Sequence, residues 1–154
     1  MITVSKAHRG ILFVVLGLFF PKAFAGETAN FSVNESQDKL VFEFHGKPLL
    51  VYAFAANQFK PYVQSLYSLN GVDVLRDAPP DHLHHHGLMY AIRINGVNFW
   101  EETGEPGIEK SVRISNSQTG KNEKGQPTAH FTQLIHWVTS TPRLLASSIL
   151  RLRK

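Results

Sequence analysis

Four of the chain's eight histidines fall within five positions, in the segment Pro79-Pro80-Asp81-His82-Leu83-His84-His85-His86-Gly87. Imidazole titrates near neutrality, so a cluster of this kind can move protons, hydrogen-bond a polar ligand or, through neutral ring nitrogens, hold a transition metal. In an extended backbone alternate side chains share a face, which puts His82, His84 and His86 together and turns His85 away. Three imidazoles at that spacing could ligate Zn, Cu, Fe or Ni with one position left open, and Asp81 could be a fourth ligand or fix a ring tautomer. The same residues suit a metal-free pocket in which Asp81, His82, His84 and His85 are the acid–base groups. They also suit a surface loop whose rings only stack and hydrogen-bond. The paired prolines stiffen the segment and Gly87 allows a sharp exit from it, as expected of a functional loop carried by a rigid sheet.

Aromatic residues surround this segment in sequence. Tyr62, Tyr67, Tyr90, Phe99 and Trp100 could supply an apolar floor for a sugar ring, with the histidines and Asp81 as polar groups. Phe99 and Trp100 are adjacent and so face opposite ways on a strand; one of them belongs to the core. Tyr90 and Trp100 are therefore candidate substrate-binding residues, and His136, beside Trp137 on a late strand, could complete the site. A small polar substrate, plausibly a carbohydrate, is the expected ligand. A non-catalytic binding or structural module is the alternative, and convergence of the four loop residues in a concave pocket distinguishes the two.

The elements that must position these residues have the period of strands. Leu40, Phe42 and Phe44 alternate with Val41, Glu43 and His45, and Gly46-Lys47-Pro48 separates them from the apolar run 49–54. Runs at 62–69 and 72–75 flank Asn70-Gly71, and runs at 88–94 and 97–100 flank Asn95-Gly96. Both dipeptides accept the positive φ angles of a type I′ hairpin turn. Two further strands are expected at 108–114 and 128–138, joined by a long polar loop over 115–127. No helical period occurs between them, so the expected fold is all-β, an antiparallel β-sandwich.

Composition narrows the function further. The chain has 154 residues, is 43% hydrophobic and contains no cysteine, which excludes disulfides, thiolate metal sites and a thiol nucleophile. Its net charge of +4 comes from its ends: Lys6, Arg9 and Lys22 lie in residues 1–25, and Arg143, Arg151, Arg153 and Lys154 in the last twelve, with no acid in either segment. Removing those seven charges leaves −3 for the body, so no nucleic-acid partner is expected. Lys6, His8 and Arg9, then an apolar run over 11–20, then Ala23-Phe24-Ala25, have the order of a secretory signal peptide cleaved after Ala25. A periplasmic or secreted domain without a stable membrane span is the expectation.

The residues also resemble a known family. Arg76-Asp77, Pro79-Pro80-Asp81-His82, His84-His85 and Gly87-Leu88, followed by Asn95-Gly96-Val97, Phe99-Trp100 and Gly107-Ile108, closely resemble the PmoA-like family of exported bacterial proteins, across roughly residues 61–137. The resemblance implies a large β-sandwich, with His82, His84 and His85 on the family's paired-histidine motif and His86 at a variable position. Its emphasis on His85 implies a turn through the motif instead of a straight strand. The family's methane-oxygenase label implies a metal-dependent oxygenase, with copper or iron on this loop. Family members are longer, so the resemblance divides the chain into a signal peptide (1–25), a partial sandwich truncated at its C-terminal end (26–141) and a basic tail foreign to the fold (142–154). In that tail Leu145, Ile149 and Leu152 have the spacing of a short amphipathic helix.

Overall fold

The computed structural model describes residues 31–153; the expected signal peptide lies outside them. Every regular element among the described residues is a strand: β1 (Phe31–Glu35), β2 (Lys39–Phe44), β3 (Lys47–Ala53), β4 (Tyr62–Leu66), β5 (Arg93–Ile94), β6 (Val97–Asn98), β7 (Ile108–Lys121), β8 (Pro127–Val138) and β9 (Leu144–Arg153). No helix among them is long and apolar enough to cross a membrane. All pairings are antiparallel. β1 to β4 form one meander, β7 to β9 a second, and β5–β6 a small hairpin between them.

The alternation expected in β2 is what builds the core. Leu40 and Phe42 point inward with Tyr52 of β3 and Val63 of β4, and meet Ala129 and Phe131 of β8. The Phe131 ring lies 4.7 Å from that of Tyr52 and 5.7 Å from that of Phe42, so the two meanders pack face to face through aromatic contacts. Each such buried ring contributes about 1.5–3 kcal/mol of transfer free energy. A second cluster joins Phe99, Ile135 and Trp137. Of the pair Phe99-Trp100, Phe99 is the core member and Trp100 is exposed.

The turns follow local chemistry, with two departures. Asn95 and Gly96 both have positive φ, 50° and 83°, the type I′ turn expected of them. His45-Gly46 makes the equivalent turn between β2 and β3. At Asn70-Gly71 only Gly71 has positive φ. There Gly71 N donates to Ser68 O and Ser68 N to Val72 O, a three-residue turn whose second arm forms no regular strand but is held by a Tyr67–Asp73 bridge and by Val74 N donating to Leu66 O at 2.8 Å. The run at 88–94 likewise is not one strand: it holds a single bridge from Leu88 to Val63 before β5 begins.

Two expectations are corrected. The polar segment 115–127 is not a long loop. β7 continues through it to Lys121, opposite Pro127, and only Asn122 to Gln126 form the turn. Register shifts at Ser111/Arg113 and Ser115/Gln118, the latter with Asn116 at φ 53°, let this long ribbon twist. Nor do residues 144–153 form a helix. Residues Leu144 to Arg153 pair with β8 from Val138 to His130 as the third strand of the second sheet, and Trp137 Nε1 donates to Ser148 Oγ at 2.8 Å. Partners in register along β8 outweigh the weak helical spacing of a thirteen-residue segment.

Candidate functional site

The histidine segment is a closed loop on strand β4. Ala78 N donates to His85 O at 2.9 Å and shuts its neck. Two successive turns fold the interior, with His82 N donating to Pro79 O and His85 N to His82 O. A turn through the motif is therefore what the backbone adopts, and strict alternation fails. On leaving, the chain docks on β4 through reciprocal Val63–Leu88 backbone bonds of 3.0 and 2.9 Å. Gly87 lies against β4 so closely that a Cβ would collide with the Val63 carbonyl oxygen.

The rings of His82, His84 and His85 gather on the outer side. His82 stacks on His85 at 4.7 Å, and His84 meets His85 edge-on at 4.5 Å. Trp100 stacks beyond His85 at 5.9 Å and 12°. Asp81 is 71% exposed and touches only the rim, its carboxylate 3.2 Å from His82 Nδ1. Its pKa is held low first by a backbone hydrogen bond and then by His82. At His85, partial desolvation followed by the charges of His84 and His82 moves the pKa down, against the pull of Asp81. Crowding thus favours a neutral ring there, as expected of packed imidazoles.

Neither expected ligand set gathers around one point: His86, grouped with His82 and His84 by spacing, turns inward to Asp77 and Glu102, and the rings of His82, His84 and His85, grouped by the resemblance, pack on one another. Stacked rings such as His82 and His85, tilted by 21°, aim their nitrogens in parallel planes instead of at one point. Among the described residues no three His, Asp or Glu side chains are disposed to hold an ion. Tyr90 and His136 also stand apart from the cluster. Tyr90 packs edge-on against Trp137 at 5.7 Å. His136 follows Ile135 and precedes Trp137, both core residues of β8, so it points to the opposite face of that strand.

The tightly built part of the site centres on His86, which spacing groups with His82 and His84 and the resemblance sets at a variable position. His86 turns inward and is held at both ring nitrogens: Nδ1 lies 2.9 Å from Asp77 Oδ1, and Nε2 lies 3.1 Å from Glu102 Oε1. Tyr62 stacks on the ring at 4.5 Å. Tyr62 and Gln64, two apart and so on one face of β4, both donate to Asp77 Oδ2 at 3.2 Å. Burial pushes the Asp77 carboxyl up, but hydrogen bonds from His86, Gln64 and Tyr62 outweigh it and hold the pKa low. Burial, then the Asp77 charge, drives the Tyr62 phenol up to about 12, so it stays a donor. On the far side, Lys60 is buried and reaches Glu102 Oε1 at 3.2 Å while donating to Trp100 O at 2.6 Å. Lys60 therefore ties the inner row Asp77–His86–Glu102 to the strand end that presents Trp100. Asp77 and Glu102 thus face the two ring nitrogens of one imidazole, which fixes the plane of the His86 ring.

Asp77, Glu102, Lys60 and Gln64 were not singled out by sequence. The available signal was the i, i+2 pairing of Tyr62 with a polar Gln64 on a strand otherwise rich in apolar residues, a hint of a buried polar partner.

Fold and loop together define a two-sheet antiparallel β protein bearing a histidine–carboxylate loop on one edge strand. The chain belongs to a family of unknown function, DUF6807, whose model matches residues 39–150 and so includes most of β9. No curated protein and no solved structure matches it.

Proposed function

We propose that this chain is an exported protein that binds a small polar molecule of the carbohydrate class at the histidine loop. Trp100 and the imidazoles of His84 and His85 serve as the apolar floor, and the Asp77–His86–Glu102 row is the hydrogen-bonding edge. The observation that carries the reading is the inner row itself. A half-buried imidazole fixed by two carboxylates and braced by a buried lysine is costly to assemble as decoration. Beside it, exposed aromatic faces suit the C–H face of a sugar ring. Export, and the likeness to PmoA-like proteins, belong to the same proposal and rest on residues 1–25 and on the loop motif. No oxygenase step is proposed, because the ring orientations do not suit a metal. Binding without turnover is favoured over general-base catalysis by His86, since both its nitrogens are already engaged.

Trp100 is 41% exposed and Trp137 only 3%, so indole emission reports on the loop. Titrating the full chain with a panel of monosaccharides and short oligosaccharides should change that emission, and Trp100→Phe should abolish the response. His86→Ala should weaken binding by about tenfold or more, the effect of losing a charge-assisted hydrogen-bond centre. Unchanged emission across the panel, or undiminished binding by a folded His86→Ala variant, would refute the reading.

A further inference from the structure

Glu109 sits at the second position of β7, where its backbone N donates to Phe59 O at 2.7 Å. Its side chain is 2% exposed. Among the described residues neither carboxyl oxygen has a hydrogen-bond partner. A buried carboxyl left unpaired is among the most costly arrangements a fold can hold, and such a group in a native structure calls for a reason.

The reason lies in the space beside it. Glu109 lines a cavity of about 220 Å³ with the apolar Phe54, Ala55, Ala56 and Pro61 and the polar Gln58, Lys110 and Ser111. A wider cleft of about 650 Å³ shares Phe54, Ala55, Ala56 and Ser111 as a wall and reaches the surface residues Ser36 and Asp38. The cleft falls within the roughly 300–1,000 Å³ of small-molecule sites, and the cavity beside Glu109, smaller than that range, suits only a compact ligand. The polar atoms are few and available. Ser111 Oγ accepts from Gln133 Nε2 at 2.8 Å, which leaves the hydroxyl hydrogen free to donate elsewhere.

Charge selects the ligand class. Burial pushes the Glu109 carboxyl up to about 8, against the opposing charge of Lys60, so near neutrality it is an acid with one donor and one acceptor. The Lys60 charge is itself answered by Glu102. An ammonium ligand would have to sit beside Lys110, with Lys60 close behind Glu109, and an anion would meet Glu109 as it ionised. An uncharged molecule whose groups both donate and accept meets neither objection, and the apolar walls suit a carbon skeleton.

We propose that this cavity is a second binding site, separate from the histidine loop, for a compact uncharged polyhydroxylated molecule held by Glu109 and Ser111. It does not depend on the function proposed for the loop.

The test uses the full chain with glucose, erythritol and myo-inositol as probes, read by the ¹³C resonance of the Glu109 carboxyl and by saturation transfer to the probe. At least one probe should perturb that resonance with a dissociation constant in the millimolar range. Glu109→Leu should lower affinity about tenfold or more, Glu109→Gln should keep it within about threefold, and Ser111→Ala should lower it about fivefold. Glu109→Leu removes an unsatisfied group, so it should melt no lower than the parent. His86→Ala should leave binding here unchanged while it weakens the binding that Trp100 reports, so failure of one site is told from failure of the other. No perturbation by any probe, or full affinity in Glu109→Leu or Ser111→Ala, would overturn the proposal. So would tighter binding of ethanolamine, with affinity rising towards pH 8.

Discussion

As pH rises from about 5 to about 8, Glu109 will withdraw up to about 1.4 kcal/mol of stability per unit, and Glu109→Gln will remove that contribution. The cause is the buried carboxyl, whose pKa is raised to about 8 by its removal from water. Between the ordinary carboxylate range and pH 8 the unfolded chain gives up this proton while the folded chain keeps it. The folded state then binds more protons than the unfolded one, so stability is full below the unfolded pKa and is lost as pH rises through the folded one. Asp77 has the opposite sign. Its pKa is held low in the folded state, so its contribution is present above the unfolded value near 4 and is lost as pH falls. His85, whose pKa is lowered, also adds stability as pH rises, so the Glu109 contribution is read as the difference between parent and variant. Urea denaturation of parent and Glu109→Gln at a series of pH values measures it, and parallel profiles from pH 5 to 8 would contradict the burial of an unpaired Glu109.

Gly87→Ala will cost about 3 kcal/mol or more and will detach the histidine loop before it unfolds the sheets. The added methyl would have to occupy the position of the Val63 carbonyl oxygen, which is part of β4 and accepts from Leu88 N at 2.9 Å. Backbone cannot yield as a flexible side chain does. The collision must break the Val63–Leu88 bridge, and with it the approach of His86 to Tyr62 and of Asp77 to Gln64. Chemical denaturation gives the energy. Amide exchange resolves the order, with the bridge amides of Val63 and Leu88 losing protection in the variant while those of β2 and β8 keep theirs. Gly120→Ala is the control, since a Cβ there meets nothing closer than the Thr128 hydroxyl at 3.9 Å.

The all-β character was legible because the core depends on a local pattern. Leu40 and Phe42 alternate with less buried neighbours, and Asn95-Gly96 carries its turn type in its own residues. The stretch 115–127 was misread because both faces of that ribbon are largely exposed, so its residues show no apolar alternation although its backbone bonds are those of a strand. In β9 the apolar residues 145 and 149 fit a helix as well as a strand, and only the register with Trp137 and Ile135 decides. The site was half legible. Four clustered imidazoles mark the loop, but the partners of His86 lie nine residues before it and sixteen after it. No spacing rule links such residues; they meet because two turns rotate His86 away from its neighbours and towards β4.

The two meanders also set an order of assembly. Within each, every strand pairs with the one next to it in the chain, β1-β2-β3-β4 and β7-β8-β9, so each sheet can form by closing short loops. The histidine loop belongs to the connection between them, and its inner row draws on Lys60 at one sheet's edge and on Glu102 close to the start of the other. It therefore cannot take shape until both halves have met. The contacts that would recognise a ligand are the last to be made in folding and the first to be given up when the halves part, so a ligand seated there would act as a clasp, slowing separation of the halves more than it speeds their formation.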